Sequence, residues 1–124
     1  GNVEGTAAVL AAAREAGVRR FIHIGSEAAI VHGQDIDGAD EAYPLAPDSP
    51  YPYCATKAQA ETLVREANAQ GFQTIVLRPR FVWGPGDTTL MPVIEAMADQ
   101  GQWKWIDRGS ARTSTTHVAN LVQE

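Results

Sequence analysis

A parallel α/β sheet is the fold this sequence predicts, and three observations predict it. Compact, mostly apolar runs at residues 21–24 and 74–77 have the length of buried strands, and each runs into a loop, at Gly25-Ser26 and at Arg78-Pro79. A helical pattern from residue 53 to 70 lies between them and is long enough to be the crossover that parallel strands require. Another helical stretch, residues 3–16, precedes the first run, so the order becomes helix, strand, long loop, helix, strand, helix.

Each element has its own signal. In the first helix Val3, Ala7, Leu10 and Ala11 fall near one stripe, with Gly17 as the stop. The connection at residues 32–52 carries Gly33, Gly38, Pro44, Pro47, Pro50 and Pro52 with acids between them; a loop of that length is usually functional or mobile. The second helix turns Ala60, Leu63, Val64 and Ala67 inward and ends at Gly71. Beyond Arg78-Pro79, Phe81-Val82-Trp83 leads into Gly84-Pro85-Gly86-Asp87, and Leu90, Val93, Ile94 and Met97 mark a third helix. Residues 103–106 read as a strand, and Val118, Leu121 and Val122 open a last helix. Two buried strands are few for such a sheet and no opening strand with a glycine-rich turn is present, so the sequence reads as an interior piece of a larger α/β enzyme.

Composition narrows the class of partner. The 124 residues are 44% hydrophobic with a formal charge of -5, which suits one globular domain and offers no basic block for a phosphate backbone. Nucleic acid is therefore not expected as a partner. No apolar run approaches the roughly 18 residues of a membrane span, and the lone Cys54 gives no disulfide framework, so a reducing cytoplasm is the default compartment.

The chemistry-bearing pattern is Tyr53-Cys54-Ala55-Thr56-Lys57. Four residues apart on a helix, the phenol and the ammonium share a face, and a neighbouring cation favours phenolate, which turns a group with an ordinary pKa near 10 into a usable acid/base. Ser26 lies just beyond the first strand, at the carboxyl end of the sheet where reactive groups gather. The same spacing also fits an ordinary helix surface, and a strand-end serine is commonly a cap.

Taken in order, several segments resemble the extended short-chain dehydrogenase/reductase family, in its NAD-dependent epimerase/dehydratase and 3-beta-hydroxysteroid dehydrogenase-like branch. They are Asn2-Val3-Glu4-Gly5-Thr6, Arg20 through Ser26, Tyr53 with Lys57, Leu77-Arg78-Pro79 with the run to Asp87, and Thr116-His117-Val118-Ala119-Asn120. The resemblance implies a partial Rossmann-like, doubly wound parallel sheet, with residues 1–124 forming the central and C-terminal part of an NAD(P)-binding domain that lacks the first strands and glycine-rich loop. It implies Tyr53 as the acid/base, Lys57 as the residue that favours phenolate and holds the nicotinamide ribose, and Ser26 as a hydrogen-bond donor to the reacting oxygen. Lys57, Tyr53, Pro79 and Val82 become the cofactor contacts, with NAD or NADP as the cofactor. No metal is expected, because His23, His32 and His117 have no ligand-like spacing.

The function implied is an oxidoreductase acting on a secondary alcohol or ketone of a small, sterol-like molecule. A nucleotide-sugar epimerase or dehydratase is the alternative, and a non-catalytic NAD(P)-sensing relative is a third reading. Glu27 is the only acid adjoining Ser26, where a dehydratase usually carries an acidic pair. A homodimer is compatible with the family, and the isolated piece, without its pyrophosphate cradle, is expected to be inactive. Thr-Ser-Ser is usual where Ile24-Gly25-Ser26 stands, so a register shifted by two would put Ala28 at the serine position, and Ala119 replaces the usual acid of the late motif. Asn2 fits either a helix cap or a shaping role beside the site, and Arg78 either a phosphate contact or an ion pair. Cys54 reads as packing; Trp83, Met91, Trp103 and Trp105 fit core or substrate pocket.

Overall fold

The computed structural model describes residues 1–123, in two compact units, one from Gly1 to Arg78 and the other beginning at Pro79. The first unit runs α1 (Asn2–Glu15), β1 (Arg20–Ile24), a 3-10 turn (Glu27–Ile30), α2 (Pro52–Glu66) and β2 (Gln73–Leu77). β1 and β2 pair in parallel from Arg20 opposite Gln73 to Ile24 opposite Leu77, with α2 as the crossover.

Period-two alternation in the strands decides what this sheet packs on. Phe21 and Val76 turn toward a core of Leu10, Val64 and Phe72, contributed by α1, α2 and the approach to β2, with Ala13, Leu63 and Ala67 around it. Ile22, Ile24 and Ile75, the other parity, are each more than half exposed. The expectation of a strand buried on both sides is thus corrected, since the helices of this unit cover a single face. The inward stripe of α1 is Val3, Thr6, Leu10 and Ala13, and not Ala7 and Ala11, which are exposed; the position of Leu10 against Val64 and Phe72 sets that angle. Val64 has no exposed surface, so Val64→Ala is expected to cost about 2 kcal/mol through lost burial and a residual cavity. A denaturant midpoint equal to that of the unaltered protein would remove Val64 from the core.

α2 begins at Pro52, whose missing N–H is harmless in a first turn. It ends at Glu66, earlier than Gly71, because Ala69 and Phe72 exchange backbone hydrogen bonds at 3.0 Å in a tight turn that needs the positive φ of Gly71. Asn68 Oδ1 then accepts from the Thr74 amide and starts β2. The long loop has no regular element, yet it is pinned: the Ala46 amide donates to Ala29 O and Ser49 Oγ to Val31 O, each at 2.8 Å.

In the second unit β3 (Val82–Trp83) pairs in parallel with β4 (Thr116–His117), accompanied by α3 (Met91–Asp99), a second 3-10 turn (Ile106–Gly109) and α4 (Val118–Leu121). The predicted strand at residues 103–106 does not form. Gln102 and Trp103 donate their amides to Met97 O at the end of α3, Trp103 and Trp105 meet edge to face, and no ladder partner is offered. Gly84 is required where it stands, since a Cβ there would come within 2.6 Å of Val118 Cγ1.

Asp87 builds the start of α3. Its Oδ1 accepts the amides of Thr89 and Leu90, and its Oδ2 that of Met91 at 2.8 Å. These donors, Met91 first, hold the carboxyl well below the usual Asp range. A depressed folded pKa stabilises the folded state above the unfolded value, near 3.9, and that contribution is lost as pH falls through the lower folded one. Amide shifts of Thr89, Leu90 and Met91 followed from pH 5 to 1 should move together with a midpoint below the ordinary Asp value. A midpoint at that ordinary value would contradict the capping role.

Candidate functional site

Tyr53 and Lys57 occupy the first two turns of α2, and the structure brings them together. Lys57 Nζ lies 5.8 Å from the centroid of the Tyr53 ring. Tyr53 is 56% exposed and Lys57 half-buried, so the phenol is open to a ligand while the ammonium is partly shielded from water. Shielding strengthens the field of the cation at the phenol.

The turn that carries the phenol is fixed from α1. Asn2 Nδ2 donates to Thr56 Oγ1 at 3.1 Å, and Thr56 Oγ1 donates to Tyr53 O at 3.0 Å. Asn2 is therefore not the cap of α1, a position taken by Gly1. Its side chain instead ties the start of α1 to the turn of α2 that carries Tyr53. Thr56 was not singled out from sequence, although it is the residue inside the Tyr-to-Lys spacing that completes this link.

Ser26 sits two residues past β1 as the N-cap of the first 3-10 turn, and that turn packs on α2. Its Oγ accepts the Ala28 amide at 3.2 Å. The accepted bond occupies a lone pair and leaves the O–H to donate elsewhere. Ala28, the alternative register, is buried and has no polar group to offer.

His23, on β1, is partly buried and feels the charge of Lys57. Burial first, and then the positive charge of Lys57, lower its pKa below the usual histidine value, against an opposing pull from Glu61. A neutral imidazole adds no second cation beside Lys57. Cys54 is buried and free, as packing requires.

Arg78 is engaged by the protein itself. Its Nε reaches Glu61 Oε1 at 3.1 Å and Oε2 at 2.9 Å, and its Nη2 reaches Oε1 at 2.6 Å. Glu61, the buried partner that settles the role of Arg78, is not evident from the sequence around Arg78. A carboxylate between Ala60 and Val64, on the inward side of α2, was the available signal, since buried acids are paired.

Pro79 and Val82, the remaining nominated cofactor contacts, belong to the second unit. Pro79 is half-buried and Val82 pairs with Thr116. In that unit the late motif has a structural explanation: His117 meets Trp83 edge to face at 4.8 Å, and its Nδ1 accepts the Ala119 amide to cap α4. Trp83 also donates to Thr115 Oγ1. A cleft of about 420 Å³ lies elsewhere in the first unit, among Ile30, His32, Gln34, Tyr43 and Asp48. Among the described residues no three His, Cys, Asp or Glu side chains gather as metal ligands would, and no helix is long and apolar enough to cross a membrane.

Comparison with known proteins gives this arrangement a family. The 3-beta hydroxysteroid dehydrogenase/isomerase family matches residues 1–124. The chain belongs to that family. It is 46% identical over 123 residues to 4-hydroxy-2-methyl-3-oxo-4-farnesyl-3,4-dihydroquinoline-1-oxide ketoreductase of Stigmatella aurantiaca, covering 98% of this chain and 36% of that protein. It is 39% identical over 124 residues to 2-alkyl-3-oxoalkanoate reductase of Stenotrophomonas maltophilia (strain K279a), covering 98% and 37%. The chain thus spans little more than a third of the length of these relatives. Among solved structures, dTDP-glucose 4,6-dehydratase (a DesIV double mutant) of Streptomyces venezuelae, with NAD and DAU bound, superposes with a TM-score of 0.65 at 29% identity, covering 81% of this chain and 31% of that one. The family is one of NAD(P)-binding enzymes, within the extended short-chain dehydrogenase/reductase group, and the small parallel sheets flanked by helices fit a partial, open Rossmann-like fold.

The exposed phenol and the partly shielded ammonium fit such a cofactor, since both offer donors to sugar hydroxyls and neither is consumed by an ion pair of its own among the described residues.

Proposed function

We propose that the full-length protein exchanges hydride at a secondary alcohol or ketone carbon of a small molecule, with Tyr53 as the acid/base. The observation that carries this reading is the Lys57 ammonium, 5.8 Å from the ring of an exposed tyrosine on the opening turns of α2. In reduction the Tyr53 phenol gives its proton to the carbonyl oxygen; in oxidation the phenolate takes the proton of the alcohol. Ser26 donates its O–H to that same oxygen, where charge develops. Lys57 stabilises the phenolate and, with Tyr53, holds the nicotinamide ribose. NAD or NADP, when bound, supplies or accepts the hydride.

Two substrate readings divide the support. The relatives named above are called a ketoreductase and an oxoalkanoate reductase, which favours an oxo group on a bulky, apolar molecule. The dehydratase superposition favours a nucleotide sugar, converted by an epimerase or dehydratase. Both readings need the same proton exchange at Tyr53, and they differ in whether the hydride stays on the product. Activity is assigned to the full-length protein.

The test incubates the full-length protein with NADH or NADPH and 3-oxo compounds, and separately with NAD or NADP and nucleotide sugars. Stoichiometric oxidation of the reduced nucleotide supports reduction. Sugar conversion without net nicotinamide change supports the nucleotide-sugar reading. Nucleotide binding with turnover on neither panel would sink both and leave the sensing reading.

A further inference from the structure

The Glu61 and Arg78 pair is stronger and more directional than core packing needs. Glu61 keeps 2% of its side-chain surface and Arg78 17%, and the guanidinium grips both carboxylate oxygens at 2.6–3.1 Å. Two donors on two acceptors fix angle as well as distance. Yet withdrawing both charges from water costs so much that well-packed apolar side chains often serve stability equally well. What the ion pair adds is a defined geometry.

Its location says which geometry. Glu61 follows Lys57 by one helical turn and Tyr53 by two, so the three side chains run along one ridge of α2. Arg78 directly follows Leu77, and Leu77 O accepts the Gly25 amide at 2.8 Å, one residue before Ser26. The pair therefore joins the ridge that bears the phenol to the strand ends that present the hydroxyl. We propose that Glu61 and Arg78 are positioning residues, a clamp that sets the roll and height of α2 so that Tyr53 and Lys57 meet the same substrate oxygen as Ser26. The clamp rests on the acid/base reading given above. It touches no substrate and works through α2.

A slip of about 1 Å in a reacting group is enough to cost on the order of 10²-fold in rate, so a loosened clamp shows in turnover before it shows in fold. The test uses the full-length protein with Arg78→Lys, which keeps the charge and loses the fork, and with the double replacement Glu61→Leu plus Arg78→Leu, which keeps a filled interior. Thermal melts, kcat per folded molecule and the pH profile of kcat are measured beside Tyr53→Phe. Both clamp variants should melt near the unaltered protein, lose about tenfold or more in kcat, and shift the limb of the pH profile that reports the phenol, because a rolled α2 carries Tyr53 and Lys57 together away from the Ser26 hydroxyl and the substrate oxygen. A kcat that tracks only the folded fraction, with that limb unmoved, overturns the clamp. If neither variant folds, the pair is a stability element and the proposal is overturned as well. Loss of turnover in Tyr53→Phe together with normal clamp variants would sink the clamp alone, whereas normal turnover in Tyr53→Phe would sink the acid/base reading and the clamp with it.

Discussion

Tyr53→Phe in the full-length protein is expected to lower kcat by roughly 10²-fold or more while weakening nicotinamide binding only by the single hydroxyl contact it loses. The phenylalanine ring keeps the packing of the first turn of α2, including the backbone carbonyl that Thr56 holds at 3.0 Å. What disappears is one transferable proton. Lys57→Met should behave differently, because the ammonium near the Tyr53 ring both favours phenolate and, in the proposed mechanism, holds the ribose. Turnover and cofactor affinity should then fall together. Steady-state rates and a nicotinamide titration on the two variants separate the roles. Near-normal turnover in Tyr53→Phe on the physiological substrate would end the catalytic reading.

The contrast between what the sequence disclosed and what it withheld follows the range of the interactions. Tyr53 and Lys57 were legible because four residues on a helix is a local relation, fixed by pitch. The parallel pairing of β1 with β2 was legible because two short apolar runs flank one crossover helix, whereas the register, Phe21 opposite Thr74, is set by contacts between the strands. Trp103 and Trp105 misled for a related reason. Alternating aromatics look like a strand, but a strand exists only with a ladder partner, and here the amides of Gln102 and Trp103 are spent on the end of α3. The half-exposed face of Ile22, Ile24 and Ile75 escaped notice because an apolar run reports that residues are greasy, not what covers them. In sequence Asn2 fits two roles, and its bond to Thr56 spans 54 residues, a separation that no local pattern encodes. The same holds for Glu61 and Arg78, 17 residues apart. Arg78 alone fitted two readings, and the acid on the buried stripe of α2 was the clue that decides between them.

That pair also supports the largest stability effect expected in the chain. Removing one partner of a buried ion pair strands the other, at roughly 3–5 kcal/mol, because the remaining charge loses both its partner and its water. The two partners are not equally deep, since Glu61 retains 2% exposure and Arg78 17%. Arg78→Met leaves the deeper charge alone and should fall in that range. Glu61→Gln strands the shallower one, and the amide oxygen can still accept a hydrogen bond from the guanidinium, so a loss of about 1–3 kcal/mol is expected. Chemical denaturation of the full-length protein, with the unfolding slope checked for constancy, measures both. Equal losses, or a greater loss in Glu61→Gln, would mean that the depth of the stranded charge does not set the cost and that the pair is better solvated than its burial implies.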